Sequence, residues 1–233
     1  MDKHSRYVLQ FFLLAVFALG PNLANAFGAG SVVQPPQKAF DMTYGEWSAR
    51  WVQFVFGLPA IDNPLEDTTG ALCGKGQWGP VIFLFGSPGS GTVTRSCTIS
   101  SKKGLIIPLV NWFGAAPEDG ATPDDVADLL AWVNDQTDVN SLVATIDGVP
   151  VQNLAKYRFR TPVFSFTGAS PNLFSDACGS PPCYEGFHEQ GLAEGYYIMV
   201  NPLPPGTHTI HIHGESLDLG VTQDVTYLLT VVP

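Results

Sequence analysis

The chain has 233 residues, with 21 acidic against 11 basic side chains and a formal net charge of −10. This balance argues against nucleic acid as a partner, because neutralising phosphates requires clustered lysine and arginine. Only 14% of the residues are charged, whereas 24 are glycine and 19 are proline. Such a turn-rich composition is typical of an all-β extracellular domain.

The first 26 residues have the pattern of a secretory signal peptide. Lys3 and Arg6 form a basic start, an apolar run covers residues 8–20, and an A-x-A cleavage site ends at Ala26. We therefore predict a mature chain cleaved after Ala26, although an uncleaved anchor is the alternative. No later stretch approaches the ~20 apolar residues of a membrane-spanning helix. The predicted location is periplasmic or extracellular, and the signal does not distinguish the two.

Four cysteines fit the oxidising compartment that a signal peptide implies. Three pairings are possible. We favour Cys73 with Cys97 and Cys178 with Cys183, because the second pair closes the tight loop CGSPPC. No C-x-x-C spacing occurs, so neither a redox pair nor a zinc ribbon is indicated.

The predicted elements begin after a proline-rich linker or extended arm, residues 27–40. Residues 43–59 have aromatic and aliphatic side chains at helical spacing, which predicts an amphipathic helix. Thr43 and Glu46 form the T-x-x-E capping box expected at its start. So many aromatic residues on one short helix indicate that it lies across a sheet.

Strand-like runs follow at residues 81–86, 92–99 and 105–111. Pro108 predicts that the third run is an edge strand or a bulged strand. A second helix then begins at Thr122, with Pro123 at its first position and acidic residues in its first turn. Its predicted buried stripe consists of Val126, Leu129, Leu130 and Val133.

From residue 141 onward the chain is predicted to be β. Asp147-Gly148 is a hairpin signal, and KYRFRTPVFSF (residues 156–166) alternates as a strand would. The fold class predicted for residues 41–233 is mainly β. It is a single β-sandwich or jelly-roll-like domain with two peripheral α-helices and two disulfides.

Several short motifs, in this order, resemble an uncharacterised family of secreted bacterial proteins. They are YGEWSARW, GPVIFLFG, IDGVPVQNLAKYRFRTPVF, GYYIMVNPLPPGTHTIH and DVTYLLTV, and they cover roughly residues 41–232. The resemblance implies a secreted single domain and no established activity. His211 is the residue expected at its position in the corresponding strand of that family, whereas His213 and Glu215 are not.

HTIHIHGE, residues 208–215, holds three of the five histidines. In a strand, successive side chains alternate between faces, so His211, His213 and Glu215 share one face, about 6.6 Å apart from one to the next along the strand. Two imidazoles in this spacing could bind zinc, copper or manganese, given a third ligand. Glu215 and His188 are the first candidates, followed by Glu185 and Glu189. The alternative is an ordinary outward strand face.

Two further patterns could bind ligands. Lys156, Arg158 and Arg160 form a basic stripe that could seat an anion, with Arg158 and Arg160 as the binding residues. A loop containing four oxygen-bearing side chains could bind calcium, although such residues are also ordinary turn formers: Asp62, Asn63, Glu66 and Asp67.

Other patterns favour no catalytic class. The G-x-G-x-x-G of residues 74–79 lacks the strand before it and the helix after it that nucleotide sites need. No nucleophile elbow and no H-E-x-x-H occur. Trp78, Trp112 and Trp132 fall outside the predicted core stripes, and exposed rings of this kind serve sugar-binding modules.

The sequence therefore favours a secreted, non-catalytic binding or interaction module with an unknown extracellular or envelope ligand. Two alternatives stay open. One is a metal-binding protein or metal-dependent enzyme centred on His211 and His213, and the other is a structural subunit of the cell envelope.

Overall fold

The computed structural model describes residues 30–87, 91–136, 139, 141–216 and 221–233, so the predicted signal peptide lies outside the described residues. The helices are α1 (Tyr44–Gly57) and α2 (Pro123–Gln136). The strands are β1 (Val81–Phe83), β2 (Gly91–Ser100), β3 (Gly104–Ala116), β4 (Val143–Ile146), β5 (Val149–Pro150), β6 (Arg158–Arg160), β7 (Phe164–Gly168), β8 (Gly186–Val200), β9 (Gly206–Ser216) and β10 (Val221–Val232).

Two mixed sheets form the domain. The first has the order β1-β3-β8-β6, with β7 also paired to β8. The second has the order β2-β10-β9-β4-β5, in which β10 runs parallel to β2 and antiparallel to β9. Side chains from both sheets join one buried cluster, which includes Ile210, Ile212 and Tyr227 from the second sheet. The predicted sandwich-like, mainly β fold is confirmed.

Helix α1 packs on the first sheet, against β3, β6, β7 and β8. Its predicted capping box is present: the Thr43 hydroxyl accepts from the backbone of Glu46, and the Glu46 carboxylate accepts from the backbone of Thr43. The buried Trp51 indole donates to the Leu84 carbonyl at 2.9 Å, which fixes the helix to the end of β1. The aromatic residues of α1 thus serve the core.

Helix α2 begins as predicted: the Thr122 hydroxyl accepts from the backbone N–H of Asp125, and the Asp125 carboxylate accepts from the backbone N–H and the hydroxyl of Thr122. Val126 and Leu130 are buried, but Leu129 is 39% exposed, so this part of the predicted stripe is wrong. Within the described residues, α2 packs mainly on β3 and β8, and this contact does not cover the Leu129 side chain.

Pro108 lies in β3, which is an interior strand between β1 and β8. The register shifts between Pro108 and Val110, so the bulged alternative is correct and the edge alternative is not. A bulge lets the strand tolerate a residue that cannot donate to the ladder.

The predicted disulfides, Cys73–Cys97 and Cys178–Cys183, are both present. The first joins the loop before β1 to β2, and the second closes a loop before β8. Two disulfides fit a protein of an oxidising compartment. Neither helix in the described part of the chain has the length and hydrophobicity needed to cross a membrane.

Arg95 is a buried cation on the inner face of β2, with 1% of its surface exposed. Its guanidinium donates to the carbonyls of Leu65, Asp67, Phe85 and Gly86, and to the Tyr227 hydroxyl. Every acceptor is uncharged, so backbone dipoles stabilise the charge. The residue ties three distant segments to β2.

Candidate functional site

The histidine strand is β9, and its side chains alternate as predicted. Ile210 and Ile212 are fully buried, while His211, His213 and Glu215 are half-buried on the outer face. The His211 Nε2 donates to Asp224 on β10 at 2.9 Å, and Asp224 lies directly across from His213. Among the described residues, the Nδ1 of His211 and the ring of His213 make no hydrogen bond.

The other predicted metal ligands do not join this pair. His188 lies on β8 of the first sheet, where it stacks on Phe166 at 4.6 Å and its Nδ1 lies 3.4 Å from the Glu118 carboxylate. Within the described ranges, no three histidine, cysteine, aspartate or glutamate side chains form a group that could hold a metal ion.

The positive charge of the predicted anion-binding stripe is partly balanced by a carboxylate of the protein itself. Arg158 and Arg160 both bind the carboxylate of Glu194, at 2.9 and 2.7 Å, and Glu194 is buried. Lys156 does not continue the strand, because residues Leu154–Tyr157 form a 3₁₀ turn. The two guanidinium groups therefore balance a buried carboxylate, which leaves one net positive charge for a ligand.

Most side-chain oxygens of the predicted calcium loop already form hydrogen bonds or ion pairs within the protein. Asn63 is buried and bonds to backbone groups of Val55 and Leu65. Asp62 pairs with Lys75 at 3.1 Å. Burial alone would raise the pKa of Asp67, but hydrogen bonds from Leu72 and Thr69 outweigh this effect and lower it. These residues act as turn formers.

A cleft of about 530 Å³ lies between the N-terminal arm and the second sheet, and we call it the arm cleft. The arm, residues 30–34, runs along the end of β8, where Val33 donates to Met199 at 2.8 Å and Asn201 donates to Ser31 at 2.9 Å. The other lining residues come from the β4–β5 hairpin, the 3₁₀ turn and the start of β9. This volume is within the range of small-molecule sites.

The walls of the arm cleft are largely apolar, with Val32, Ile146, Val149 and Leu203 among them. The β4–β5 turn that shapes one wall is the predicted hairpin, in which Asp147 and Gly148 both take positive φ. This matches the two-residue turn that fits the twist of a hairpin. The cleft is thus a preformed concave surface held by sheet hydrogen bonds.

Two polar groups in the arm cleft can take part in recognition. Lys156 lies at the rim, exposed, and its Nζ donates to the Gln34 Oε1 at 2.7 Å. Tyr157 is fully buried, and its hydroxyl has no hydrogen-bond partner among the described residues. Burial raises the pKa of Tyr157, and an interaction with the Gln34 side chain, which falls outside ordinary hydrogen-bond geometry, opposes the rise. Three other buried oxygens of the described residues share this state, on Glu118, Tyr197 and Ser216, but Tyr157 is the one of the four that lines the arm cleft.

His208 also lines the arm cleft, but both of its ring nitrogens are occupied. Nδ1 lies 2.7 Å from the Asp147 carboxylate, and Nε2 lies 2.9 Å from the Pro204 carbonyl. Both neighbouring oxygens are acceptors, and either ring nitrogen can donate to the oxygen that it faces. The ring therefore ties β9 to the hairpin turn and presents no free nitrogen to a substrate. His188 is enclosed in the same way, between Glu118 and the Glu185 carbonyl.

Comparisons with family models, with curated proteins and with solved structures returned no match. Function is therefore argued from the geometry of the chain itself. The arm cleft is the site that sequence reasoning missed, because its walls come from segments more than 100 residues apart. Within the local sequence, the only sign of a binding site was Tyr157, an aromatic residue next to Lys156.

Proposed function

We propose that the protein is a secreted, non-catalytic binding protein that holds a small amphipathic carboxylate in the arm cleft. The single observation that carries the proposal is the buried, unpartnered hydroxyl of Tyr157 in a cleft with apolar walls. Leaving a buried hydroxyl unpaired costs about 1–3 kcal/mol. The hydroxyl is closed off from the cleft beside the Gln34 side chain, so a ligand acceptor that displaces Gln34 would remove that cost. Secretion, with cleavage after Ala26, is part of the same proposal.

The chemistry of the arm cleft selects the ligand class. Lys156 and the Tyr157 hydroxyl can both donate, so a carboxylate offers each of them an acceptor. Lys156 also supplies the charge, since Asp147 is already paired with His208. The aliphatic walls favour an apolar body of modest size behind the carboxylate. His208 lines the cleft, but its Nε2 faces the Pro204 carbonyl and not the cleft, which favours binding over catalysis.

The test is a calorimetric titration of the purified protein with hexanoate and benzoate, compared with hexanol. We expect saturable binding of the carboxylates and weaker binding of the alcohol. Tyr157→Phe and Lys156→Gln should each weaken binding of the carboxylates about tenfold or more, since each removes one donor. Lys102→Gln, on the exposed β2–β3 turn, is the matched charge control. Equal binding of hexanol, or no effect of either variant, would contradict the proposal.

A second candidate function, metal binding at His211 and His213, is favoured by Asp224. A histidine that binds a metal usually donates its other ring N–H to a carboxylate, which orients the ring. The His211 Nε2 makes this bond, which leaves Nδ1 as an acceptor on the same face as His213. Two protein ligands would hold the metal, with water completing its coordination.

Elemental analysis of protein purified without a tag or chelators, followed by titration with Cu²⁺ and Zn²⁺, tests this second candidate. We expect one ion per chain, lost in the double variant His211→Ala/His213→Ala. Asp224→Asn should weaken binding by about 10- to 100-fold, as for other partners of metal-bound histidines. Unchanged affinity in the double variant would rule the site out.

A further inference from the structure

We propose that the surface beside helix α1 is a second binding site, which takes a saccharide that carries a carboxylate. The site is a groove of about 350 Å³ between the outer face of α1 and the loop that precedes β1. We call it the α1 groove. Its main residues are Trp78, Arg50, Gln53, Phe40 and Phe54. It lies apart from the arm cleft and shares none of its lining residues.

Trp78 is the most unusual side chain of the α1 groove, because 70% of its surface is exposed. Among the described residues its ring has no aromatic partner, and its indole N–H makes no hydrogen bond. A single exposed ring is ordinary on a protein surface, but Trp78 lines a groove together with Phe40, Met42 and Phe54, and a contiguous apolar patch of this kind is typical of a binding site. The C–H face of a pyranose ring packs against an indole ring, so Trp78 offers a platform for a sugar.

The platform is held in place by its neighbour Gln77. The Gln77 amide donates to the Phe83 carbonyl at 2.8 Å and accepts from the Phe83 N–H at 3.0 Å. These two bonds pair the loop with the free edge of β1, as a further strand would. The loop that carries Trp78 is therefore fixed before any ligand binds, and preorganisation of this kind favours affinity.

Arg50 supplies the charge. It is exposed on α1 and has no ion pair among the described residues, although Glu46 stands four residues earlier in the helix. Glu46 is committed to the capping box, where its Oε2 accepts from both the backbone and the hydroxyl of Thr43 at 2.7 Å. The guanidinium is thus left free in a protein of net charge −10. A free guanidinium matches the geometry of a carboxylate.

Gln53 completes the arrangement. Its Nε2 donates to the Ser165 carbonyl at 2.7 Å, which fixes the side chain and leaves Oε1 as an acceptor at the groove. A ring platform, a free guanidinium and a fixed amide oxygen suit one chemical class. A uronic acid stacks its ring on Trp78, places its carboxylate on Arg50 and donates a hydroxyl to Gln53.

The test is a titration of the purified protein with trigalacturonate, followed by tryptophan fluorescence and calorimetry, with maltotriose as the neutral comparison. Trp78→Ala and Arg50→Gln should each weaken trigalacturonate binding about tenfold or more, as expected for central binding residues. Both positions are exposed, so the variants should fold, which circular dichroism would verify. Trp132→Ala is the matched control, since Trp132 is 61% exposed on α2 outside the groove.

Each outcome decides the matter. Saturable binding of trigalacturonate that is lost in the Trp78 and Arg50 variants, and kept in the Trp132 variant, supports the inference. Equal affinity for maltotriose overturns the role of Arg50. No binding at millimolar concentrations, or equal loss in the Trp132 variant, overturns the site. Tyr157→Phe should leave trigalacturonate binding unchanged, so failure here is separate from failure at the arm cleft.

Discussion

Replacing Tyr157 with phenylalanine should stabilise the free protein, which is the reverse of what a buried tyrosine normally does. The substitution removes a hydroxyl that has no partner and keeps the ring, which packs edge-on against Tyr44 with 5.9 Å between centroids. A buried hydroxyl without a hydrogen bond costs about 1–3 kcal/mol. We expect a gain of about 1 kcal/mol, or a melting temperature higher by about 2–4 °C for a domain of this size.

Tyr44→Phe is the matched control, because Tyr44 is the neighbouring buried tyrosine and its hydroxyl is fully used. That hydroxyl donates to the Val33 carbonyl at 2.7 Å and accepts from the Met199 N–H at 3.0 Å. Its loss leaves two buried backbone groups unpaired, so we expect destabilisation of about 1–3 kcal/mol. The two variants differ by one oxygen atom each and should move in opposite directions.

The assay is urea unfolding, in which a shift of the midpoint at constant slope reports stability alone. Addition of hexanoate should then stabilise the wild type and have a smaller effect on Tyr157→Phe, since a ligand stabilises only in proportion to its affinity for the folded state. If Tyr157→Phe lost as much stability as Tyr44→Phe, the Tyr157 hydroxyl would have a partner within the protein. The observation behind the proposed function would then be removed.

Three further predictions concern the fold. Arg95→Met should destabilise by about 3–5 kcal/mol in urea unfolding, since several buried acceptors lose a charged donor, whereas Lys102→Met should have no effect. Cys73→Ser/Cys97→Ser should cost about 3 kcal/mol in the same assay, because the bridge closes a long loop, and an unchanged midpoint would contradict this. The lowered pKa of Asp67 contributes stability that is present above its unfolded pKa and lost as pH falls below about 4. Asp67→Asn should flatten this acid decline in thermal melts, and an equally steep decline would contradict the assignment.

Features set by local chemistry could be predicted from the sequence. The capping box of α1 and the Thr122 N-cap of α2 depend on residues three apart, and the alternation of β9 follows from the pleat of any strand. The turn at Asp147-Gly148 is likewise a two-residue signal. In each case the partners lie close together in the chain, so the local pattern determines the structure.

Features set by distant partners could not be predicted. Glu194 neutralises Arg158 and Arg160 from more than 30 residues away, so the basic stripe gave no sign of its counter-ion. Tyr157 has a place in an alternating pattern, yet the chain forms a 3₁₀ turn there, and its buried ring lies beside the arm and the hairpin, which are distant in sequence. The arm cleft exists only after the arm, the β4–β5 hairpin, the 3₁₀ turn and the start of β9 meet, and the one local signal among them, Asp147-Gly148, predicts a turn and not a cleft.

The most direct test of the proposed function is a titration of isotope-labelled protein with hexanoate, followed by backbone amide chemical shifts. The account predicts saturable changes at residues 30–34, at the Asp147-Gly148 turn and at residues 156–157, with a midpoint about tenfold or more higher in Tyr157→Phe. Saturable changes confined to another part of the chain, or no change with any carboxylate of the series, would contradict it.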